Sequence, residues 1–535
     1  MRDESNLQSL ITNLQSVLTE RRPSPFAVWQ PFVFPALAVL LGLALAVLPL
    51  PLAAVLLLAT AVLLLIFLQP LLGLALTLLA GPLGALENVV LSQRLLDSGQ
   101  ILLLITVAAW LARRLLHGRI RVAHTFLNAP LVIFVYVAAL TLVQGGAVGE
   151  PPYLEFGVIE LLKWLEIGVV MLLVVDLAGG PAESQSRKVI AILLLAGLSQ
   201  ALIGIWQFGL RGDGPEHFLV LDRFYRAYGT FEQPNPFGGF MNLTVLLGLG
   251  TVLGIVAAYR GSRGASGRVG ETHANGQTGK QAIGWILFVA LCTVATGLAL
   301  LFSWSRGAWL GFAAGGTALA LFWPKKRWQG IVLVAAAAVL FGVALQVGVV
   351  PLTVRERLSG FSQELGNRRL HGDTVAGVDI NDANYAVLER LAHWQAAVAM
   401  ARDNPWLGVG FGNYEPAYDD YALLNWPYPL GHAHNIYLNI LAEAGILGLA
   451  AYLLFWAAVF WQTVRVLRWL EWPQRGLALG LLAAWVALSV HHLVDKLYVN
   501  NVYIHLGVML GVLQLLARQA QRHSHAPYGN DLSGT

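Results

Sequence analysis

Charge is scarce in this chain: only 12% of its 535 residues are Asp, Glu, Lys or Arg, about half the share of a soluble domain. Cysteine is scarcer still. The single Cys292 lies inside an apolar run, so no intramolecular disulfide can form. A G-x-x-x-x-G-K-[ST] loop is missing, so ATP drive is not indicated. The one long polar loop, Pro351 to His432, holds no paired acidic motif of the kind that keeps a metal on a nucleotide-sugar. No cleavable signal is visible, since Met1 to Arg22 is polar and too long for a charged n-region. The net charge of +4 does not point to nucleic acid, because the basic residues sit in short loops between apolar runs.

What fills the chain instead is hydrophobic surface: 57% of the residues, with a mean hydropathy of +0.63. Apolar runs long enough to cross a bilayer recur from Phe32 to Leu516, which predicts an all-α polytopic membrane protein. The expected spans run from 31–49 to 499–517, about 12 to 14 crossings, with Pro49, Pro51 and Pro70 crowding the first turns. The resulting order is a segment 1–25, transmembrane helices over 26–350, one large loop over 351–433, C-terminal transmembrane helices over 434–517, and a tail over 518–535. Within 1–25, Leu7, Leu10, Ile11, Leu14 and Leu18 follow helical spacing up to Pro23. Two readings stand, an amphipathic helix on the cytoplasmic surface or a frayed tail.

Orientation follows from the basic loops. Arg113, Arg114, Arg119 and Arg121 share one, and Arg260, Arg263, Arg268 and Lys280 share another, Gly/Ser-rich from Gly261 to Lys280. Lys325, Lys326 and Arg327 mark a third, and Arg465, Arg468 and Arg475 a fourth; Arg518 and Arg522 lie in the tail. With the N-terminus inside, all of these face the cytoplasm. Four other segments then face outward: Gly209 to Pro234, Ser303 to Arg306, Pro351 to His432, and the turn near Asp495. No convincing internal repeat is present, which weakens an inverted-repeat transporter.

The outer loop of roughly 80 residues is far longer than an ordinary connection. Tyr385, Leu388, Leu391, Trp394, Gln395 and Val398 share one face of a helix expected from Asp382 to Arg402. Asn404-Pro405 stops it, and the glycines of Leu407-Gly-Val-Gly-Phe-Gly-Asn413 predict a compact turn. Trp406, Phe411, Tyr414, Tyr418, Tyr421, Trp426 and Tyr428 either stack on sugar rings or anchor the loop as an aromatic belt.

Chemistry-bearing residues gather in the outward segments. Arg306 sits in a turn so short that its guanidinium lies at or just below the membrane surface, where an uncompensated charge is costly and points to function. Arg226 stands between two tyrosines, and an arginine fork suits a diphosphate. His434, where a late span begins, has an imidazole able to accept a proton near neutral pH; His432 lies further into the loop. These two histidines need more ligands to hold zinc, and Asp419, Asp420 and Glu443 show no ligand spacing. Neither a metal nor a cofactor is therefore expected. Glu160, Lys163 and Glu166 share a helix face and read as an ion pair or as a polar lining. Asp495, after His491 and His492, is open to both readings as well.

The segments Arg226-Ala-Tyr-Gly-Thr-Phe with Pro234-Asn-Pro-Phe-Gly, Ser305-Arg-Gly-Ala-Trp, Asn404-Pro-Trp-Leu-Gly-Val-Gly-Phe-Gly-Asn and His434-Asn-Ile-Tyr-Leu-Asn with Glu443-Ala-Gly resemble the O-antigen ligase / O-antigen polymerase superfamily of bacterial membrane glycosyltransferases. The resemblance covers Tyr225 to Asp495. It implies a GT-C type fold with one large extracytoplasmic loop in the cytoplasmic (inner) membrane. It also implies metal-independent transfer of a glycan from a polyprenyl (undecaprenyl) diphosphate to an acceptor hydroxyl on a glycan, lipid or protein. His434, Arg306 and Arg226 would carry the chemistry. Tyr228, Asn235, Ser305, Arg390, Asn435, Glu443 and Lys163 would bind substrate. Ligases, repeat-unit polymerases and protein O-oligosaccharyltransferases all belong here, and a secondary transporter or permease is the alternative from another class.

Overall fold

The computed structural model describes residues 30–91, 96–116, 118, 123–148, 152–179, 183–221, 223–266, 276–324, 326–355, 357 and 385–524. The expected surface segment 1–25 lies outside the described residues. The elements are α1 (Gln30–Val47), α2 (Leu50–Leu68), α3 (Pro70–Ala80), α4 (Gly84–Leu91), α5 (Ser98–Leu116), α6 (Asn128–Val148), α7 (Pro152–Ala178), α8 (Glu183–Gly209), α9 (Pro234–Ser266), α10 (Gly276–Phe302), α11 (Arg306–Phe322), α12 (Arg327–Gln346), α13 (Tyr385–Asp403), α14 (Ile436–Val466), α15 (Gln474–His491) and α16 (Val502–Ser524). A hairpin of two short strands, β1 (Leu219–Val220) and β2 (Phe224–Tyr225), interrupts the helices between α8 and α9.

The protein is an all-α polytopic membrane protein. Ten helical stretches among the described residues are long and apolar enough to cross a membrane. The other expected spans fall on α1, α7, α11 and α15. Of these, α7 carries Glu155, Glu160, Lys163, Glu166 and Asp176, and α11 has only 17 residues. Helix ends depart from expectation in several places. Helix α9 runs on to Ser266 and α10 begins at Gly276, into the stretch read as a connector. Helix α16 continues to Ser524, well past 517.

The chain forms two compact units. In the first, Met1–Leu74 with Leu102–Val122, Arg113 donates to the Phe67 and Leu68 carbonyls at the C-terminal end of α2. The second, Ala75–Ile101 with Ala123–Thr535, holds every residue treated below. There, small residues let helices touch backbone to backbone, as in membrane interiors. A Cβ on Gly250 would stand 2.5 Å from the Gly480 Cα, and one on Gly254 2.9 Å from the Gly476 Cα. This four-residue spacing on both partners locks α9 against α15. Helix α11 approaches α15 in the same way, Gly311 against the Ala487 carbonyl and Gly315 against that of Ala483.

Helix α14 is not continuous. Gly445 has φ +63° and ψ −164°, a conformation essentially restricted to glycine. The break frees backbone groups that must be satisfied in a water-poor setting. The loop supplies the partners: Val409 and Gly410 N–H donate to the Ala442 and Glu443 carbonyls, both at 2.9 Å, while Ile446 N–H donates to Pro405 O at 2.8 Å and Leu447 N–H to Trp406 O at 3.3 Å. Positive φ at Gly408 and Gly410 folds the loop into this fit. The glycine run read as a compact turn is thus a clasp on a broken span.

Candidate functional site

The site is assembled from the ends of α9, α11 and α15 and from α13 above them. Ser305 caps α11, its Oγ accepting from Ala308 N–H, and so presents Arg306 in the first turn. The Ser305 hydroxyl donates to Asn235 Oδ1 at 2.8 Å. The same oxygen accepts from Arg226 Nη2 at 3.4 Å, and Arg226 Nε donates to Ser303 O at 3.0 Å. The hairpin holds the backbone beneath this arginine, Arg226 N–H donating to Phe218 O at 2.9 Å. From α13, Arg390 donates through Nε to Val494 O at 3.1 Å and through Nη1 to Ala386 O at 2.6 Å.

These side chains surround a cavity of about 360 Å³. Arg226, Arg306, Arg357 and Arg390 line it, and Asp495 is the one carboxylate among the lining residues. Burial first, then the charges of Arg357, Arg390 and Arg306, bring the Arg226 pKa down to about 9. Like charges gathered in a partly dehydrated space favour an anion.

His434 stands one carboxylate away from this cavity. Asp495 Oδ1 lies 4.0 Å from His434 Nδ1 and 3.9 Å from His432 Nε2. His434 adopts φ +50°, and its backbone N–H donates to His432 Nδ1 at 3.0 Å. A neutral His432 that accepts at Nδ1 carries its proton on Nε2. Both ring nitrogens of His434 are buried and without a hydrogen-bond partner. Its ring meets that of His432 at 4.5 Å and that of His393 at 5.4 Å. His393 Nδ1 bonds Tyr414 Oη at 2.9 Å.

Burial keeps all three rings neutral. It lowers His393 to about 4; with Lys496, His393, Arg390 and Lys163 beside it, it lowers His432 to about 3. His434 is pushed further down, by burial and then by His432, Arg390 and His393. Burial raises the Asp495 carboxyl against the pull of Arg390. His432, His434 and Asp495 each offer a ligand atom within 4.8 Å of one another. The carboxylate that joins the two histidines is Asp495, whose role the sequence left open, brought in from another turn. With its proton on Nε2, His432 faces Asp495 Oδ1 across 3.9 Å, and His434 Nδ1 faces the same oxygen across 4.0 Å, both beyond hydrogen-bond distance.

Residues 291–453 match the Wzy_C family model, described as O-antigen ligase. The match supports placing residues 291–453 in the O-antigen ligase / O-antigen polymerase superfamily of membrane glycosyltransferases. None of the curated proteins compared with the chain matches it. The O-antigen ligase match spans Arg306, Arg357, Arg390, His432 and His434, while Arg226, Asn235 and Asp495 come from flanking sequence.

Of the residues expected to bind substrate, Asn235 and Arg390 line the cavity and Ser305 supports it through Asn235. The others lie elsewhere. The Tyr228 hydroxyl accepts from Arg211 Nη1 at 3.0 Å, away from the lining. Asn435 is the cap of α14, accepting from Tyr437 and Leu438 N–H and donating to Leu493 O at 3.0 Å. Glu443 is buried below the loop clasp and accepts from Tyr414 N–H at 3.4 Å. Lys163 pairs with Glu160, which also meets Lys496 Nζ at 3.3 Å. Arg357 carries no sequence motif and was not anticipated.

The loop helix also turns a different face inward. Its buried side is Leu388, Ala392, His393, Ala396, Ala397, Met400 and Ala401, while Leu391 and Trp394 of the expected face line the cavity. Tyr414, Tyr418 and Trp426 are buried in the loop's own core and Phe411 is buried against Phe134 of α6, with only Trp406 and Tyr428 largely exposed.

Proposed function

We propose that the protein transfers a glycan from an undecaprenyl diphosphate carrier to an acceptor hydroxyl at the outer face of the cytoplasmic membrane, as an O-antigen ligase does. The observation that supports this reading best is the meeting of four arginines from separate chain segments in one cavity, with His434 beyond its single carboxylate. Arg226, Arg306, Arg357 and Arg390 hold the diphosphate and the charge that grows on it as the C1–O bond breaks. The acceptor oxygen attacks C1 from the opposite face, and its proton passes to His434. In-line displacement requires the base to stand apart from the leaving group, a sugar away. Asp495 then stabilises the imidazolium across the 4.0 Å gap. No step needs a metal.

A purified-protein assay with an undecaprenyl diphosphate glycan and candidate acceptors, read by mass spectrometry, tests the proposal. Product forms in excess EDTA, and His434→Ala lowers turnover by about 10²–10⁴ while donor binding persists. Weakened binding at normal turnover would overturn the base role.

The broken α14 favours a permease reading, because unwound helices often coordinate cargo. Against it, the four freed backbone groups are already paired with the loop. Flux into liposomes in the absence of glycan transfer would reverse the choice.

A further inference from the structure

Helices α9, α11, α14 and α15 have a second feature at their other ends. A cleft of about 880 Å³ opens between the last turns of α9, α11 and α14 and the first turns of α12 and α15. Along α11 it lies about 24 Å from Arg306, at 1.5 Å per residue. Arg327, Arg468 and Arg475 line it, with Glu471 as the one acidic lining residue. No carboxylate pairs with these three arginines among the described residues.

Arg475 frames the cleft. Its Nη1 donates to Leu467 O and its Nη2 to Phe322 O at 3.3 Å, satisfying carbonyls at the ends of α14 and α11. Its Nε is buried with no hydrogen-bond partner. The guanidinium lies 5.7 Å from the Trp472 ring, which packs against Trp323 at 4.8 Å. Trp469 is exposed beside it. Tryptophans at the ends of spans mark the headgroup level of a bilayer, and basic pockets between spans at that level bind acidic headgroups.

We propose that this cleft binds the phosphate of an anionic phospholipid headgroup. Arg327 and Arg468 supply the charge, and Arg475 and the tryptophans give the cleft its shape. The site is separate from the arginine cavity and does not depend on the function proposed for it.

Binding to the full-length protein in detergent tests the idea by native mass spectrometry and thermal midpoint. The probes are dioleoyl phosphatidylglycerol, dioleoyl phosphatidylcholine and inorganic phosphate. Phosphatidylglycerol is expected to bind more tightly than phosphatidylcholine and to raise the midpoint. Arg327 and Arg468 are exposed, so Arg327→Gln with Arg468→Gln should leave the lipid-free midpoint in place and weaken phosphatidylglycerol binding roughly tenfold. Equal binding of the two lipids, or an unchanged response in the double variant, overturns the proposal. Equal protection by inorganic phosphate overturns the lipid as the source. If the double variant fails to fold, Arg468→Gln alone gives the same comparison.

Discussion

Four guanidiniums around one small cavity repel each other, and hydrogen bonds to backbone carbonyls hold Arg226, Arg357 and Arg390 in place. Arg390 uses two nitrogens in two directions, to Val494 O and to Ala386 O. Arg390→Lys, with a single ammonium, should therefore lower glycan transfer at least tenfold, measured as kcat/KM; near-normal activity would reduce Arg390 to a generic charge. The histidines lead to a second expectation. His434 is lowered from its usual 6.5, so it stays neutral as the pH falls through 6.5. Asp495 is raised, so it takes up a proton above the ordinary carboxylate value of about 3.9. The acid limb of the pH–rate profile should thus lie above the ordinary carboxylate value, report Asp495 and vanish in Asp495→Asn, together with most of the rate. A single limb at 6.5 in both proteins sinks this assignment.

At the scale of elements, the joint between Pro405–Gly410 and the break in α14 governs where the loop sits. A Cβ on Gly408 would stand 2.4 Å from the Ala442 carbonyl oxygen, at φ +65°. Gly408→Ala should cost on the order of 1–3 kcal/mol, read as a lower thermal midpoint in detergent. Gly316 in α11 has nothing within 4 Å of its Cβ position, so Gly316→Ala should leave the midpoint unchanged or raise it; equal losses would remove the joint from the account. Much of this level was legible in the sequence. Arg306, Arg226 and His434 stand out because ionisable groups are rare in an apolar chain, and the loop helix is announced by its spacing and by Pro405. Its inward face was missed because alanine gives a weak hydrophobic signal. The role of Asp495 stayed open and Arg357 escaped, because their company is set by tertiary contact, far from any motif. The clasp was hidden too, since a glycine run shows where a chain can bend without showing what it bends around.

For the molecule as a whole, the proposed function needs the loop outside and the basic ends of the bundle inside, as the positive-inside argument would have it. The single cysteine, Cys292, is buried, which makes orientation measurable with little background. In a Cys292→Ala protein, Leu424→Cys, at a position 98% exposed, should react with a membrane-impermeant maleimide in intact spheroplasts. Glu471→Cys should react only after permeabilisation; the reverse pattern would invert the topology. One architectural fact then bears on redesign. Because the loop completes the hydrogen bonding of an interrupted span, it is not a detachable module. Grafting acceptor specificity from one homologue to another would have to move the Pro405–Gly410 turn and the split helix together. Safer sites for variation are the solvent-facing turns around Leu424 and Tyr428, where no transmembrane backbone depends on the outcome.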